Sequence, residues 1–179
     1  MRRRALAAGV LACAGIGSWP MRARADAQTD YDAALALLCG QRVRRDPEAA
    51  ARLLERAAAQ GHRGAQGLLG WMAMSGVGMS RNDALAARWL RPAADAGDSA
   101  AQNNLGVLHA LGQGVPRDLA QAERWFRAAA ASGAEDAEVN LEALLRPPGA
   151  GAATPAVARR TASRLPPARA AAGCRARAG

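Results

Sequence analysis

"AQGLLGWMAMSGVGMSRNDALAARWLRPAADAG" (residues 65–97) lies over "AQNNLGVLHALGQGVPRDLAQAERWFRAAAASG" (residues 101–133) when the chain is shifted by 36 positions. No gap is needed. Identical pairs include Leu69/Leu105, Gly70/Gly106, Gly76/Gly112, Gly78/Gly114, Arg88/Arg124, Trp89/Trp125 and Gly97/Gly133. A further shift by 36 meets a more diverged unit, "DYDAALALLCGQRVRRDPEAAARLLERAAAQG" (30–61), which keeps Gly40, Asp46, Ala50, Leu54 and Gly61 in phase. "GAEDAEVNLEALL" (133–145) reproduces only the opening half of a unit. Repetition at such a period is the mark of stacked units that bury a core only against their neighbours.

Each unit reads as two helices. Large apolar residues and alanine recur at helical spacing, as in Leu119, Ala122, Phe126 and Ala129. Asp46 before Pro47, and Asp118 with Gln121 three places on, are start signals. Gly61, Gly97 and Gly133 are stop signals. Gly112 and Gly114 fall on Gly76 and Gly78, so "LGQGVPRD" (111–118) is a joint between helices rather than a phosphate cradle, which would follow a strand. Gly70 and Gly106 inside first helices predict close helix approach, with Trp89, Leu90, Trp125 and Phe126 as the large partners. Trp125 is assigned to the inter-repeat core, where truncation to alanine costs about 3–5 kcal/mol. The fold class is all-α: a short α/α superhelical solenoid of about three 36-residue helix-turn-helix units, 30–61, 62–97 and 98–133, with a closing helix over 134–145.

The remaining segments differ in composition. Residues 1–25 hold Arg2, Arg3 and Arg4, an apolar stretch of 15 residues from Ala5 to Trp19, and Ala23-Arg24-Ala25. This is the layout of a cleaved secretory leader, with cleavage expected after Ala25. The stretch is shorter than the roughly 17–25 residues that cross a bilayer as a helix. Arg3-Arg4 suits a twin-arginine route as well as the general one, and Val10-Leu11-Ala12-Cys13 only loosely matches a lipoprotein box. The expectation is an exported, periplasmic protein. Residues 146–179 are rich in Pro, Ala, Gly and Arg and read as a disordered tail, able to contact anionic surfaces weakly.

The net charge of +9 belongs to these ends. Five of the 24 arginines lie in 1–25 and seven in 146–179; 12 arginines face all 15 acids in 26–145, giving −3. A mildly acidic folded part excludes a nucleic-acid-binding core. The lack of lysine and abundance of alanine suit a GC-rich bacterial genome. After cleavage Cys39 and Cys174 are the cysteines left, one in a helical pattern and one in the tail. No C-x-x-C or H-x-x-x-H spacing occurs, so no metal and no cofactor are expected.

A unit reading A-x-x-x-L-G, then G-x-G, an acidic cap and W-[LF]-x-x-A-A-x-x-G resembles the Sel-one-like repeat, a relative of the tetratricopeptide repeat. Residues Ala101, Leu105, Gly106, Gly112, Gly114, Val115, Asp118, Ala122, Trp125, Phe126, Ala129, Ala130 and Gly133 carry the likeness. The middle unit departs at Asn82, and the first has Gln41 and Arg42 at its turn. The resemblance implies a right-handed superhelix of antiparallel helix pairs and a scaffold binding proteins or peptides on its concave face.

No nucleophile elbow, H-E-x-x-H helix or G-K-[ST] phosphate loop is present, and a non-enzymatic role is expected. His62, after the Gly61 stop, is expected in a solvent-exposed linker. First helices should line a groove, which makes Gln102, Asn103, Asn104, His109 and Trp71 the candidate partner contacts. Gln66 and Gln102 recur, which suits a shared structural hydrogen bond equally well. The leading reading is a monomeric envelope adaptor for a protein or peptide. An envelope enzyme or small-ligand binder acting on cell-wall material, and a membrane- or polymer-associated protein using its basic tail, are the alternatives.

Overall fold

The computed structural model describes residues 19–40 and 43–146; the expected leader up to residue 18 and the tail from residue 147 lie outside them. Seven helices and no strand occur among the described residues: α1 Trp19–Cys39, α2 Pro47–Ala59, α3 Arg63–Ser75, α4 Asp83–Asp95, α5 Ser99–Leu111, α6 Leu119–Ala131 and α7 Glu135–Leu145. Helices pair as α1–α2, α3–α4 and α5–α6, and each pair stacks on the next through α2–α3, α4–α5 and α6–α7. This is an all-α repeat solenoid. The first helix of the first pair begins ahead of the repeat and runs through the Ala25–Asp26 junction.

The capping chemistry acts where the sequence placed it. Side chains of Asp46, Asn82 and Asp118 accept hydrogen bonds from the amides of Ala49, Leu85 and Gln121 at 2.8–2.9 Å, satisfying donors that a helix start leaves open. At the other end of α2, Gly61 N–H donates to Ala58 O and His62 N–H to Ala57 O. The same pair of bonds closes α4 at Gly97–Asp98 and α6 at Gly133–Ala134. These are Schellman stops, with the glycines at φ +80°, +85° and +78°.

The G-x-G joint has two functions in its two glycines. Gly76 and Gly112 end α3 and α5 in the left-handed conformation. Gly78 and Gly114 instead meet the preceding unit. A Cβ on Gly78 would lie 2.3 Å from Pro47 O, and one on Gly114 would lie 2.2 Å from the carbonyl carbon of Asp83. Real Cβ atoms do not approach backbone so closely, so each glycine lets a joint rest on the first turn of the previous second helix. Among the described residues no unit precedes the first, whose joint carries Arg42 in this place. Around Gly114 the seam is polar: Arg81 is bidentate to Asp83 at 3.0 and 2.9 Å and reaches Gln113 Oε1 at 3.2 Å.

The core follows a small-on-large rule inside each unit. Added Cβ atoms on Gly70 and Gly106 would come within 2.6–2.7 Å of Leu90 and Phe126, both fully buried. The expected close approach of these helices is present. The tryptophans sit differently from their expected place. Trp89 and Trp125 are half-buried at the edge of the core, and the residues after them, Leu90 and Phe126, occupy its centre. A helix directs side chains 100° apart for successive residues, so only one of two adjacent residues can face the partner helix squarely. The 3–5 kcal/mol truncation cost therefore belongs to Phe126 rather than Trp125.

Candidate functional site

Helix α5 is enclosed on every side: Ala101 through Ala110 are all buried. It is flanked by α3, α4, α6 and α7, which explains how four polar side chains lose contact with solvent. Gln102, Asn103, Asn104 and His109, expected at a groove surface, are only 6–8% exposed.

Two of these side chains are committed to holding units together. Gln102 Nε2 donates to Ala94 O at 3.1 Å, and Gln66 Nε2 donates to Ala58 O at 3.2 Å. The recurrence of this glutamine is thus a structural bond from each first helix to the second helix before it. Asn103 Oδ1 accepts from Asn140 Nδ2 at 2.8 Å, tying α5 to α7. Trp71 is half-buried against the core of the first two units. Asn140 was not singled out in the sequence, although it lies in phase with Asn104.

His109 joins a different group. Arg91 Nη2, from α4, lies 3.5 Å from His109 Nε2, and the Arg91 guanidinium stands 5.8 Å from the centre of the Trp125 ring on α6. Nε1 of Trp125 is buried without a hydrogen-bond partner, a state that costs about 1–3 kcal/mol. Burial lowers the pKa of His109, and the Arg91 charge lowers it further; the Pro116 carbonyl and Asp118 act in the opposite direction. A neutral ring whose Nε2 accepts from Arg91 carries its proton on Nδ1.

Arg91 is exposed, as is Arg88 one turn earlier, whose guanidinium lies 5.8 Å from the centre of the Trp89 ring. Together Trp89, Arg88, Arg91 and Trp125 form a strip from one second helix to the next. Arginine over an aromatic face is attracted by the ring's negative quadrupole and keeps its outward N–H groups free to meet an acceptor. Sequence reading missed Arg91. The available signal was its recurrence as Arg127, three places after the Arg88/Arg124 pair.

His62 corrects another expectation. It is half-buried rather than free in a linker, and it caps α3: Nδ1 accepts from Ala65 N–H at 3.1 Å. That fixes the tautomer, so Nε2–H donates to Gln28 Oε1 at 3.0 Å, while the ring packs on Tyr31 with centroids 4.5 Å apart. Its phase-mate Asp98 caps α5 through Ala101 N–H at 2.8 Å, which was the sequence signal for this role. Burial lowers the His62 pKa, against the raising effects of Asp32 and of a bond with its own backbone.

The Ser75 hydroxyl donates to the Trp71 and Met72 carbonyls of its own helix. Among the described residues no three of His, Cys, Asp and Glu gather as metal ligands, and no helix is long and apolar enough to cross a membrane. Cys39 is disulfide-bonded.

The Sel1 repeat family model matches residues 28–62, 64–98 and 99–133. A Sel1 repeat protein from Oxalobacter formigenes is similar in structure at 32% identity and a TM-score of 0.58, covering 70% of this chain and 98% of its own. A protective antigen of uropathogenic Escherichia coli strains, displaying an SLR fold, is similar at 32% identity and a TM-score of 0.61, over 69% of this chain. This chain spans 26% of that antigen's length. No curated protein matches. The three matched units and the stacked helix pairs make this chain a member of the Sel1 repeat family, whose repeats generally serve as scaffolds for protein–protein interaction.

Proposed function

We propose that the protein is a non-enzymatic, monomeric adaptor of the bacterial cell envelope that binds a protein or peptide partner. The observation that supports this most is the strip in which exposed Arg88 and Arg91 lie over half-buried Trp89 and Trp125. Tryptophan and arginine dominate the residues that carry binding energy at protein interfaces. The resemblance to known repeats favoured the concave face, lined by first helices. In the third unit the polar groups of that helix are packed away, so the contact is placed on the strip between second helices. Its arginines favour an acidic or carbonyl-rich partner segment.

Export is supported by the leader-like residues 1–25. Cleavage after Ala25 leaves α1 starting at Asp26, two residues before the first matched repeat. The test is an Arg88→Glu plus Arg91→Glu variant, crosslinked in the envelope beside the parent protein. Partner capture should fall at least about tenfold, the loss of two charge-assisted contacts, with circular dichroism unchanged. Undiminished capture by a folded variant removes the strip from the interface.

A further inference from the structure

A buried titratable group lies beneath one half of the arginine–tryptophan strip. His109, in the last turn of α5, is buried, and Arg91 Nη2 stands 3.5 Å from its Nε2. The same guanidinium stands 5.8 Å from the centre of the Trp125 ring, so a single arginine links the imidazole to the aromatic part of the strip. The two side chains differ in freedom. His109 sits in an enclosed helix, with the Pro116 carbonyl and Asp118 at its ring. Arg91 is exposed on a long stem, so it is the member that moves.

We propose that protonation of His109 releases Arg91 from the Trp125 ring, so that this half of the strip is assembled at neutral pH and open in acid. Neutral His109 turns an Nε2 lone pair toward Arg91 and carries its N–H on the other ring nitrogen. A proton added at Nε2 removes that acceptor and sets an N–H and a positive charge against the guanidinium. Like charges this close repel, and more strongly where burial excludes water. The imidazolium remains inside the fold because the Pro116 carbonyl and the Asp118 charge favour it. Asp118 meanwhile keeps its cap on Gln121 N–H at 2.9 Å. Burial and Arg91 hold the ring's pKa down, so release falls below the ordinary histidine value of about 6.5. The strip then loses a donor positioned for an acidic partner segment.

The other charges on the helices around α5 are engaged elsewhere or distant from the ring. Helix α3 carries Arg63 alone, at its start. On α4, Asp83 binds Arg81 and Arg88 lies over Trp89. Asp95, one turn after Arg91 on α4, is exposed and offers the released guanidinium a carboxylate at i+4 spacing. On α6, Glu123 pairs with Arg127 at 2.6 Å and Arg124 is exposed. At the end of α7, Glu142 pairs with Arg146 at 3.0 Å. Arg117, in the joint, donates to Ala110 O at 3.2 Å. The device belongs to one junction of the solenoid. In phase with His109 and Arg91 the preceding unit has Ala73 and Glu55, and Trp89 is met by Arg88 of its own helix. Trp89 is therefore an internal control for Trp125.

Nuclear magnetic resonance titration of the isolated protein tests the switch, in a His62→Asp background where His109 is the one histidine left. The Trp125 indole signals should shift with the His109 midpoint, and those of Trp89 should hold still. In Arg91→Gln, a surface substitution, the His109 midpoint should rise because the opposing charge is gone. In His109→Gln the side-chain amide accepts from Arg91 and donates to the Pro116 carbonyl, as the neutral ring does, and the Trp125 shift should vanish. Trp125 signals that ignore His109, equal shifts at Trp89, an unchanged midpoint in Arg91→Gln, or protonation only on unfolding would each overturn the proposal. Its regulatory meaning rests on the strip as the interface. The titration needs no partner, so a strip that captures no protein and a switch that does not move give separate failures.

Discussion

Gly114→Ala isolates the joint on which the stacking depends. The substitution carries two costs that other glycines of the chain separate. Gly133 has φ +78° and nothing within 4 Å of an added Cβ, so Gly133→Ala shows the left-handed backbone cost alone, about 1–2 kcal/mol. Gly114 has a similar φ of +68°, but its Cβ would lie 2.2 Å from Asp83 C and 2.4 Å from Ala84 N. Backbone cannot rotate aside as a side-chain tip can. Overpacking adds about 1–3 kcal/mol, giving about 2–5 kcal/mol for Gly114→Ala. Urea unfolding of both variants measures the difference, and a thermal shift of roughly 4 °C per kcal/mol provides a second readout. If Gly114→Ala is no more damaging than Gly133→Ala, the joint does not bear on the preceding unit and the account of the G-x-G element is wrong.

Other expectations follow from the packing and the caps. Phe126→Ala should cost about 3–5 kcal/mol and half-buried Trp125→Ala clearly less, about 2 kcal/mol, by the same unfolding assay. Pro92 lies inside α4 and is exposed, so Pro92→Ala should restore a helical hydrogen bond and stabilise by up to about 3 kcal/mol in thermal melts. A double-mutant cycle on Asn103→Ala and Asn140→Ala should show coupling of about 0.5–1.5 kcal/mol. The pKa of His62 is lowered on folding, so the unfolded chain binds more protons. Stability from its cap is full above the ordinary histidine value of about 6.5 and falls as pH drops through the lower folded value. His62→Asp should remove that part of the acid dependence, read as a flatter stability profile below pH 6.5.

Much of the architecture was legible because a repeat makes the chain its own comparison. Asp46, Asn82 and Asp118 announce helix starts by side-chain chemistry that acts within three residues, and the glycine stops are equally local. Gly70 and Gly106 announced close approach because a glycine inside a helix is otherwise unfavourable. What failed to read through was burial set by neighbouring units. Nothing local to Gln102, Asn103, Asn104 and His109 tells that helices on all sides enclose them; composition alone favours a surface for such residues. The choice between Trp125 and Phe126 turns on the rotation of α6 against α5, a matter of the packed pair. Arg91 gains its place over Trp125 only when two units stack.

The most direct test of the scaffold reading is site-specific photocrosslinking in cells. A photoreactive residue replaces, one at a time, Arg88 and Arg91 on the strip and Gln60 and Ser80 on exposed surface elsewhere. The account predicts one shared protein adduct from positions 88 and 91, weak or absent from positions 60 and 80. Equal adducts from all four positions, or none from the strip of a folded and exported protein, would contradict it.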